Sequence, residues 1–501
     1  MRKLLMIRVI TFIALMLSVV TAPASNIVSN SDYYNNTRPE ISDSIFRMIP
    51  WGKTVVSDCL SRSDSNPIHK DVKVTEAGKL AETIGSDINE IDSIAVSGPI
   101  NDSDFNTLWS ATFYGKLSVI NLENAEIENE SVPANAFFHA DEQMTDTRVY
   151  LIRLKRIILP DNIKSIGSSA FLYAGLLEEI NLPKGLRELG HYTFSDCTSL
   201  KTSPLQVPDG VTEIPPMCFK DCRSLDEVEL PSTIKKIGEG AFHQAKIKRI
   251  NFPEGLLSVD NCAFYASDLE EVSLPSTCME FKGSQHFAEN HNLKKMSIRS
   301  GISVIPMSFL YGDYNLTEFI IPPTVQIIEF QALWGCWSLP ELVLPEGVDM
   351  IRTGAFAYCR AVKKLVLPST VTYIESYAFQ YFNSLEAIYC SAPVPPRCDE
   401  NSANAYGYTA PTFGPTPEDT PNDIPVYVPV GTSSLYAAAK GWNYFTNFIE
   451  TDEFPSASVS EISIRKTSEE NEIYDLSGRK VIKPVPGQIY IQSGQKIMFR
   501  P

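Results

Sequence analysis

The side chains able to do chemistry are few and scattered. Six histidines, His69, His139, His191, His243, His286 and His291, are spread along 501 residues. None stands at the spacing of a metal-ligand pair such as H-E-x-x-H. No G-x-S-x-G turn that would raise a serine nucleophile occurs, and no G-x-x-x-x-G-K-[ST] phosphate cradle. Cys218 and Cys222 are close in sequence, but no second pair completes a zinc tetrahedron. The stretch DSDFN, with Asp102, Asp104 and Asn106, opens like a calcium loop; Thr107 sits where such a loop needs glycine, so a helix start is expected. Acidic residues are numerous enough to leave a glycosidase-type carboxylate pair open. The expectation is a chain with no catalytic residue, no metal site and no cofactor.

What recurs instead is a pattern of apolar residues. Residues 229–242 read ELPSTIKKIGEGAF and residues 366–379 read VLPSTVTYIESYAF. The proline of this pattern returns at Pro160, Pro183, Pro208, Pro231, Pro253, Pro275, Pro322, Pro345 and Pro368. Between Pro275 and Pro322 lies one unit with Arg299 in the proline's place. A second marker, Phe171, Phe194, Phe219, Phe242, Phe264, Phe287, Phe309, Leu333, Phe356 and Phe379, steps by 22 to 25 residues and gives ten units. Around Pro231 the apolar positions are Leu225, Val228, Leu230, Ile234, Ile237, Ala241 and Phe242. Around Pro368 the same places hold Val362, Leu365, Leu367, Val371, Ile374, Ala378 and Phe379.

One such unit buries too little to offset the entropy of ordering its backbone, whereas stacked units share each apolar face with two neighbours. The opening L-x-x-[IVL]-x-[ILVF] matches the strand segment of leucine-rich repeats at their period. The fold expected is a β-rich solenoid: a leucine-rich-repeat superhelix of about ten coils with a concave parallel sheet, terminal caps and a small C-terminal β module.

The units LPSTIKKIGEGAF and LVLPEGVDMIRTGAFAYC resemble the BspA-like, or treponemal-type, leucine-rich repeat of surface proteins from gut and oral Gram-negative anaerobes. IDSIAVSGPINDSDFNTLW with LSVINLENAEI is similar to the N-terminal cap of such proteins, with Ile94, Val96, Leu117, Ile120 and Leu122 beginning the sheet. VYVPVGTSSLYAAAKGWNYFTNFIE resembles their closing segment. EIYDLSGRKV and GQIYIQSGQKIMF look like the last strands of a C-terminal sorting module, and Ile489, Tyr490 and Ile491 between Gly487 and Gly494 read as a β-hairpin. The resemblance implies adhesion to host or bacterial surfaces.

Residues 1–24 read as a secretory signal, with Arg2, Lys3 and Arg8 before an apolar run and Ala22-Pro23-Ala24 at the cleavage site. Residues 25–70 read as a polar flexible lead-in, 71–150 as the N-terminal cap and 151–392 as the repeats. Residues 393–455 read as a Pro-rich loop and C-terminal cap, and 456–501 as the short β module. No membrane-spanning segment is expected in the mature chain. A formal net charge of −17 disfavours nucleic acid and bare anionic membrane as partners. Of the ten cysteines, Cys197, Cys222, Cys336 and Cys359 fall three residues after the closing marker and read as core thiols. Cys390 and Cys398 lie outside the rhythm and are the candidate disulfide.

Side chains alternate along a strand, so two rows should face outward on the sheet. Four residues before the proline, Glu227, Arg249, Glu271, Lys295 and Glu318 would alternate in sign and support strand register. Two residues before it the row is polar in mid-array and then turns apolar at Ile320, Val343, Val366 and Tyr389, the candidate ligand-binding stripe. Good strand formers, or a stripe covered by the C-terminal segment, are the bland alternatives. The function expected is that of an exported, monomeric, non-enzymatic binding protein on the surface of, or secreted by, a Gram-negative bacterium. Its partner would be a host or bacterial surface protein or glycan. Two other readings stand beside it. One is a glycan-binding accessory with Trp334, Trp337, Tyr406 and Tyr408 as a sugar platform; the other is a structural envelope component.

Overall fold

The computed structural model describes residues 67–139, 152–299, 301–399, 410–414 and 416–455, and three short strands near the C-terminus. The expected leader and most of the lead-in lie outside the described residues. The chain divides into two units, Met1–Asp452 and Glu453–Pro501.

The first unit is a right-through stack of coils, each with three hydrogen-bonded sides. On the first side, sixteen parallel strands follow one another from His69–Lys73 to Asn447–Glu450, in sheets of five, three, three and five strands. The strand Glu179–Ile180 ends the first of these sheets; the Lys201 N–H still donates to the Glu178 carbonyl, as its equivalents do in other coils, but Pro204, in the place from which Glu179 donates to Lys155, has no N–H to add. On the second side run twelve parallel strands of two residues, from Ser131–Val132 to Arg397–Cys398. Two residues are too few to show alternation, so the sequence pattern marks this side only by one recurring apolar position, as at Ile237 and Ile374. Its inner positions, Ile166, Ile214, Ile237, Ile328, Ile351 and Ile374, are all buried.

The third side is a closing turn. In each coil the backbone N–H of the closing residue donates to the next coil: Phe171 to Thr193, Phe194 to Cys218, Phe219 to Ala241, Phe242 to Ala263 and Phe264 to His286. The residue two before it takes positive φ, as at Tyr192, Met217 and Gly240, which lets the chain reverse within one turn. The closing rings stack face to face: Phe137, Phe171, Phe194, Phe219, Phe242, Phe264 and Phe287 have centroids 5.2 to 5.4 Å apart.

Three expectations are corrected here. Phe309 is not a ladder residue: Leu310 donates to Ala332 in the ladder position, and Phe309 stands one place earlier, edge-on to Phe287 at 73°. His286 likewise fills the small-residue position of its own coil, the one anchored at Pro275, so two successive coils carry a bulky group there and the second of them is the unit that lacks the proline. Second, residues 393–455 are not simply a loop and cap. Arg397–Cys398 pairs with Tyr373–Ile374, and Phe413 stacks on Phe379 at 5.7 Å, which makes a further coil. Third, no disulfide joins Cys390 to Cys398. Cys390 lies on the first sheet 3.2 Å from the Tyr436 hydroxyl, while Cys398 lies on the second and directs its thiol to the Pro396 carbonyl.

The thiols of Cys197, Cys222, Cys336 and Cys359 are buried and unbridged. Each donates to the carbonyl of the closing residue one coil back, Phe171, Phe194, Leu310 and Leu333 respectively. Ser267 and Asn290 make the same bond to Phe242 and Phe264. In six of the coils this position thus holds a donor, while Ala174 and Ala245 fill it in two others without one.

Asn181 and Asn251, expected to face outward, turn back instead. The Asn251 amide accepts from the Leu230 N–H at 2.6 Å and donates to the Leu230 carbonyl at 2.8 Å, and Asn181 does the same for Leu159. A side-chain amide thus replaces a backbone rung just before the proline. Asn251→Ala should lower stability by about 1–3 kcal/mol, because the buried Leu230 amide and carbonyl lose their partners. The midpoint of urea unfolding, with an unchanged slope, checks this.

The sheet begins one strand earlier than expected, with His69–Lys73 paired on Ser93–Ile100, so it starts within the stretch read as lead-in. Ile94, Val96, Leu117, Ile120 and Leu122 are buried, and Asp102–Phe113 is a helix capped by Asn101. Buried Asp104 accepts from the backbone N–H groups of Gly78, Leu80 and Asn101, so this acid organises a cap. In the second unit, Ile489–Gln492 pairs antiparallel with Gln495–Met498 as the expected hairpin, and Ile473–Tyr474 adds a third strand.

Candidate binding surfaces

Parallel pairing puts equivalent residues of successive coils side by side about 4.8 Å apart, so any outward position becomes a row. The charged row forms ion pairs where the register joins opposite signs: Arg156 with Glu179 at 3.3 Å, Arg249 with Glu227 at 3.0 Å, Lys295 with Glu318 at 3.6 Å and Lys364 with Glu341 at 2.6 Å. The sheet is interrupted between Arg249 and Glu271, so the alternation is built from separate ladders. These pairs are solvent-exposed and worth a few tenths of a kcal/mol each, which is register support.

The apolar row is also aligned. Val343, Val366, Tyr389 and Tyr427 are direct register partners, and Ile449 follows Tyr427. Ile320 pairs with Ser297, one sheet earlier. Ile320 is 37% exposed and Ile449 38%, while Val343, Tyr389 and Tyr427 are half-buried. Val366 departs from the expectation, at only 4% exposed. The Tyr389 and Tyr427 rings stack at 4.5 Å and 7°. Tyr427 stands two residues before Pro429, in the frame of the row, a signal the sequence reading missed because Pro429 falls outside the 22–25-residue rhythm; Ile449 has no such proline to set its frame.

The turn edge carries a second surface, which changes character along the array. In its N-terminal part Lys220 lies between Asp196, at 3.7 Å, and Asp221, at 2.5 Å, and Asp221 also receives Arg223. Burial raises the Asp196 carboxyl above its ordinary range. Burial acts the same way on Asp221, but Lys220 and Arg223 outweigh it and hold that carboxyl low. Burial and the adjacent Lys220 push His243 down to about 4. The acids and bases of this network neutralise one another.

Further along, the edge becomes aromatic. His291, Tyr314, Trp337 and Arg360 occupy the same place in four successive coils, 23 residues apart. His291 stacks on Tyr314 at 4.6 Å, Tyr314 on Trp337 at 4.2 Å, and the Arg360 guanidinium lies 5.1 Å over Trp337. A neighbouring group joins Trp334 to Tyr311, Tyr358 and Tyr377, and Tyr358 to Tyr381. Gly335 has positive φ, which is what favours glycine there. The sequence signal for this column was the constant offset of four residues from the ladder position. Trp334 and Trp337 do meet other aromatics, but their ring faces are used in mutual stacking. Tyr406 and Tyr408 lie outside the described residues.

Among the described residues no group of three or more His, Cys, Asp or Glu could hold a metal ion, and no helix is long and apolar enough to cross a membrane. A depression of about 400 Å³ on the first sheet is lined by Glu227, Glu229, Arg249, Asn251 and Glu271.

Period, parallel pairing and three-sided coils define a leucine-rich-repeat β-solenoid. Residues 146–208, 201–314 and 303–395 match the sequence profile of the BspA type leucine rich repeat region. Among curated proteins no sequence matches the chain. Among solved structures, a leucine-rich repeat protein from Bacteroides ovatus is similar at 22% identity and a TM-score of 0.48, covering 66% of this chain and 88% of that one. The pneumococcal vaccine antigen PcpA is similar at 18% identity and a TM-score of 0.40, covering 72% and 80%. A leucine rich cell surface protein from Faecalibacterium prausnitzii is similar at 18% identity and a TM-score of 0.31, covering 66% and 89%.

Proposed function

We propose that this chain is an exported, non-enzymatic binding protein of the BspA-like kind, acting as an adhesin at a bacterial surface. It would recognise a protein partner through the first sheet. The observation that carries this reading is the register-aligned apolar row Val343, Val366, Tyr389, Tyr427 and Ile449, with Ile320 on the last strand of the preceding sheet. A contiguous apolar strip bordered by ion-paired charges has the layout of a protein interface, with an apolar core and a polar rim. The apolar run before Ala22-Pro23-Ala24 supports export.

Because Val366 is buried, the informative variant leaves it intact. Ile320→Glu combined with Val343→Glu should reduce binding to immobilised extracellular-matrix or bacterial surface proteins by at least about tenfold while leaving the melting temperature within a few degrees. Undiminished binding by the folded variant would remove the sheet from the interface. Binding to glycans alone, indifferent to the variant, would favour the glycan-accessory reading.

A further inference from the structure

We infer that Arg360 anchors a second docking site, on the turn edge, for a carboxylate-bearing segment of a protein partner. Basic residues on this array are commonly neutralised by an acid on an adjacent coil: Lys184 by Asp161, Lys201 by Glu178, Lys236 by Glu213 and Lys363 by Glu386. Arg360 differs. It is exposed, and its guanidinium lies over two rings, 5.1 Å from the centroid of Trp337 and 5.6 Å from that of Tyr358. It forms no ion pair with any described residue.

A guanidinium held over aromatic faces keeps its charge and its N–H donors while losing rotational freedom. The ordering cost that an arginine ordinarily meets on binding is therefore largely met before the ligand arrives. The planar fork fits a carboxylate through two parallel hydrogen bonds. The column His291–Tyr314–Trp337 buttresses it from one side, and Tyr358, stacked at 4.2 Å on Tyr381, from the other.

The ligand class follows from what the rings leave over. One face of Trp337 rests on Tyr314 and the other meets Arg360, so the 41% of this residue that is exposed presents ring edge. A sugar ring needs an open aromatic face, which this column does not offer. An exposed Trp edge, a Tyr and a stacked Arg are the residues that dominate protein–protein hot spots. Although the net charge of −17 works against acidic ligands at long range, an unneutralised arginine in that setting selects for acid at contact.

The test pans a library of random displayed peptides against the full chain and, in parallel, against Arg360→Met. Peptides enriched on the parent should be rich in Asp and Glu. They should lose about tenfold or more in affinity for Arg360→Met, in line with a charge-assisted hydrogen-bond pair. Arg360→Lys should restore only part of that loss, because an ammonium lacks the fork. Circular dichroism melts of the three chains should coincide. The inference is overturned if no peptide is enriched, if enriched peptides lack acids, or if they bind Arg360→Met equally well. It is also overturned if sialylated or sulfated glycans on an array bind in an Arg360-dependent manner while peptides do not.

Discussion

Phe219→Ala is expected to destabilise the array by about 3–5 kcal/mol, the range for removing a fully enclosed aromatic from a core. The ring stacks on Phe194 at 5.3 Å and on Phe242 at 5.4 Å, and all three are fully buried. Alanine there opens a cavity and breaks two aromatic pairs, each worth about 0.5–1.5 kcal/mol beyond its area. The damage should be local, since each coil touches only its neighbours. Amide hydrogen exchange at Phe194 and Phe219, whose N–H groups form ladder bonds to Cys218 and Ala241, should accelerate most. The amide of Phe379, far along the stack, should be nearly unaffected. A loss below about 1 kcal/mol, or a uniform rise in exchange, would show that the stack is not the stabilising spine.

The second large effect concerns pH. His286 is fully buried, with one ring nitrogen bonded to the Lys282 carbonyl and the other without a partner among the described residues. Burial pushes its pKa down from 6.5 to about 4. The unfolded chain therefore binds a proton more readily than the folded one between those values. The contribution is intact above about pH 6.5 and falls away toward pH 4, amounting to about 3 kcal/mol at 1.36 kcal/mol per pH unit. His243, lowered in the same direction, adds to the decline.

Asp313 acts in the opposite sense. Burial raises its carboxyl well above the ordinary value, so the stability it contributes is present below about pH 3.8 and is lost as pH rises through the folded value. His286→Gln should flatten the loss of stability on acidification, and Asp313→Asn should raise stability at neutral pH. Urea midpoints measured from about pH 7 down to about pH 4 check both signs. An unchanged acid slope in His286→Gln would assign the sensitivity elsewhere.

The parts of the fold that repeat were legible, because one coil cannot bury its face alone and its apolar spacing must recur. The buried set around Pro231 and Pro368 matches the pattern residue by residue. What escaped was set by hydrogen bonding or by three-dimensional neighbours. Asn251 looks like any polar strand residue until its amide is seen to replace a rung. Phe309 satisfies the count but misses the ladder by one place, because a shift of one residue leaves composition unchanged. Val366 obeys the outward alternation yet is buried. The column from His291 to Arg360 required knowing that the turn edge stacks as regularly as the sheets.

The closing-turn bond reaches from one coil only into the next, as from Phe219 to Ala241 and from Phe242 to Ala263. Excising one whole coil would join two surfaces already shaped for each other, since each junction is written in the same bonds. Such a chain can lengthen or shorten in units of about 4.8 Å without redesign of its interior. Reach is then a quantity that gene duplication can adjust directly, leaving the chemistry of each outward row to change one coil at a time.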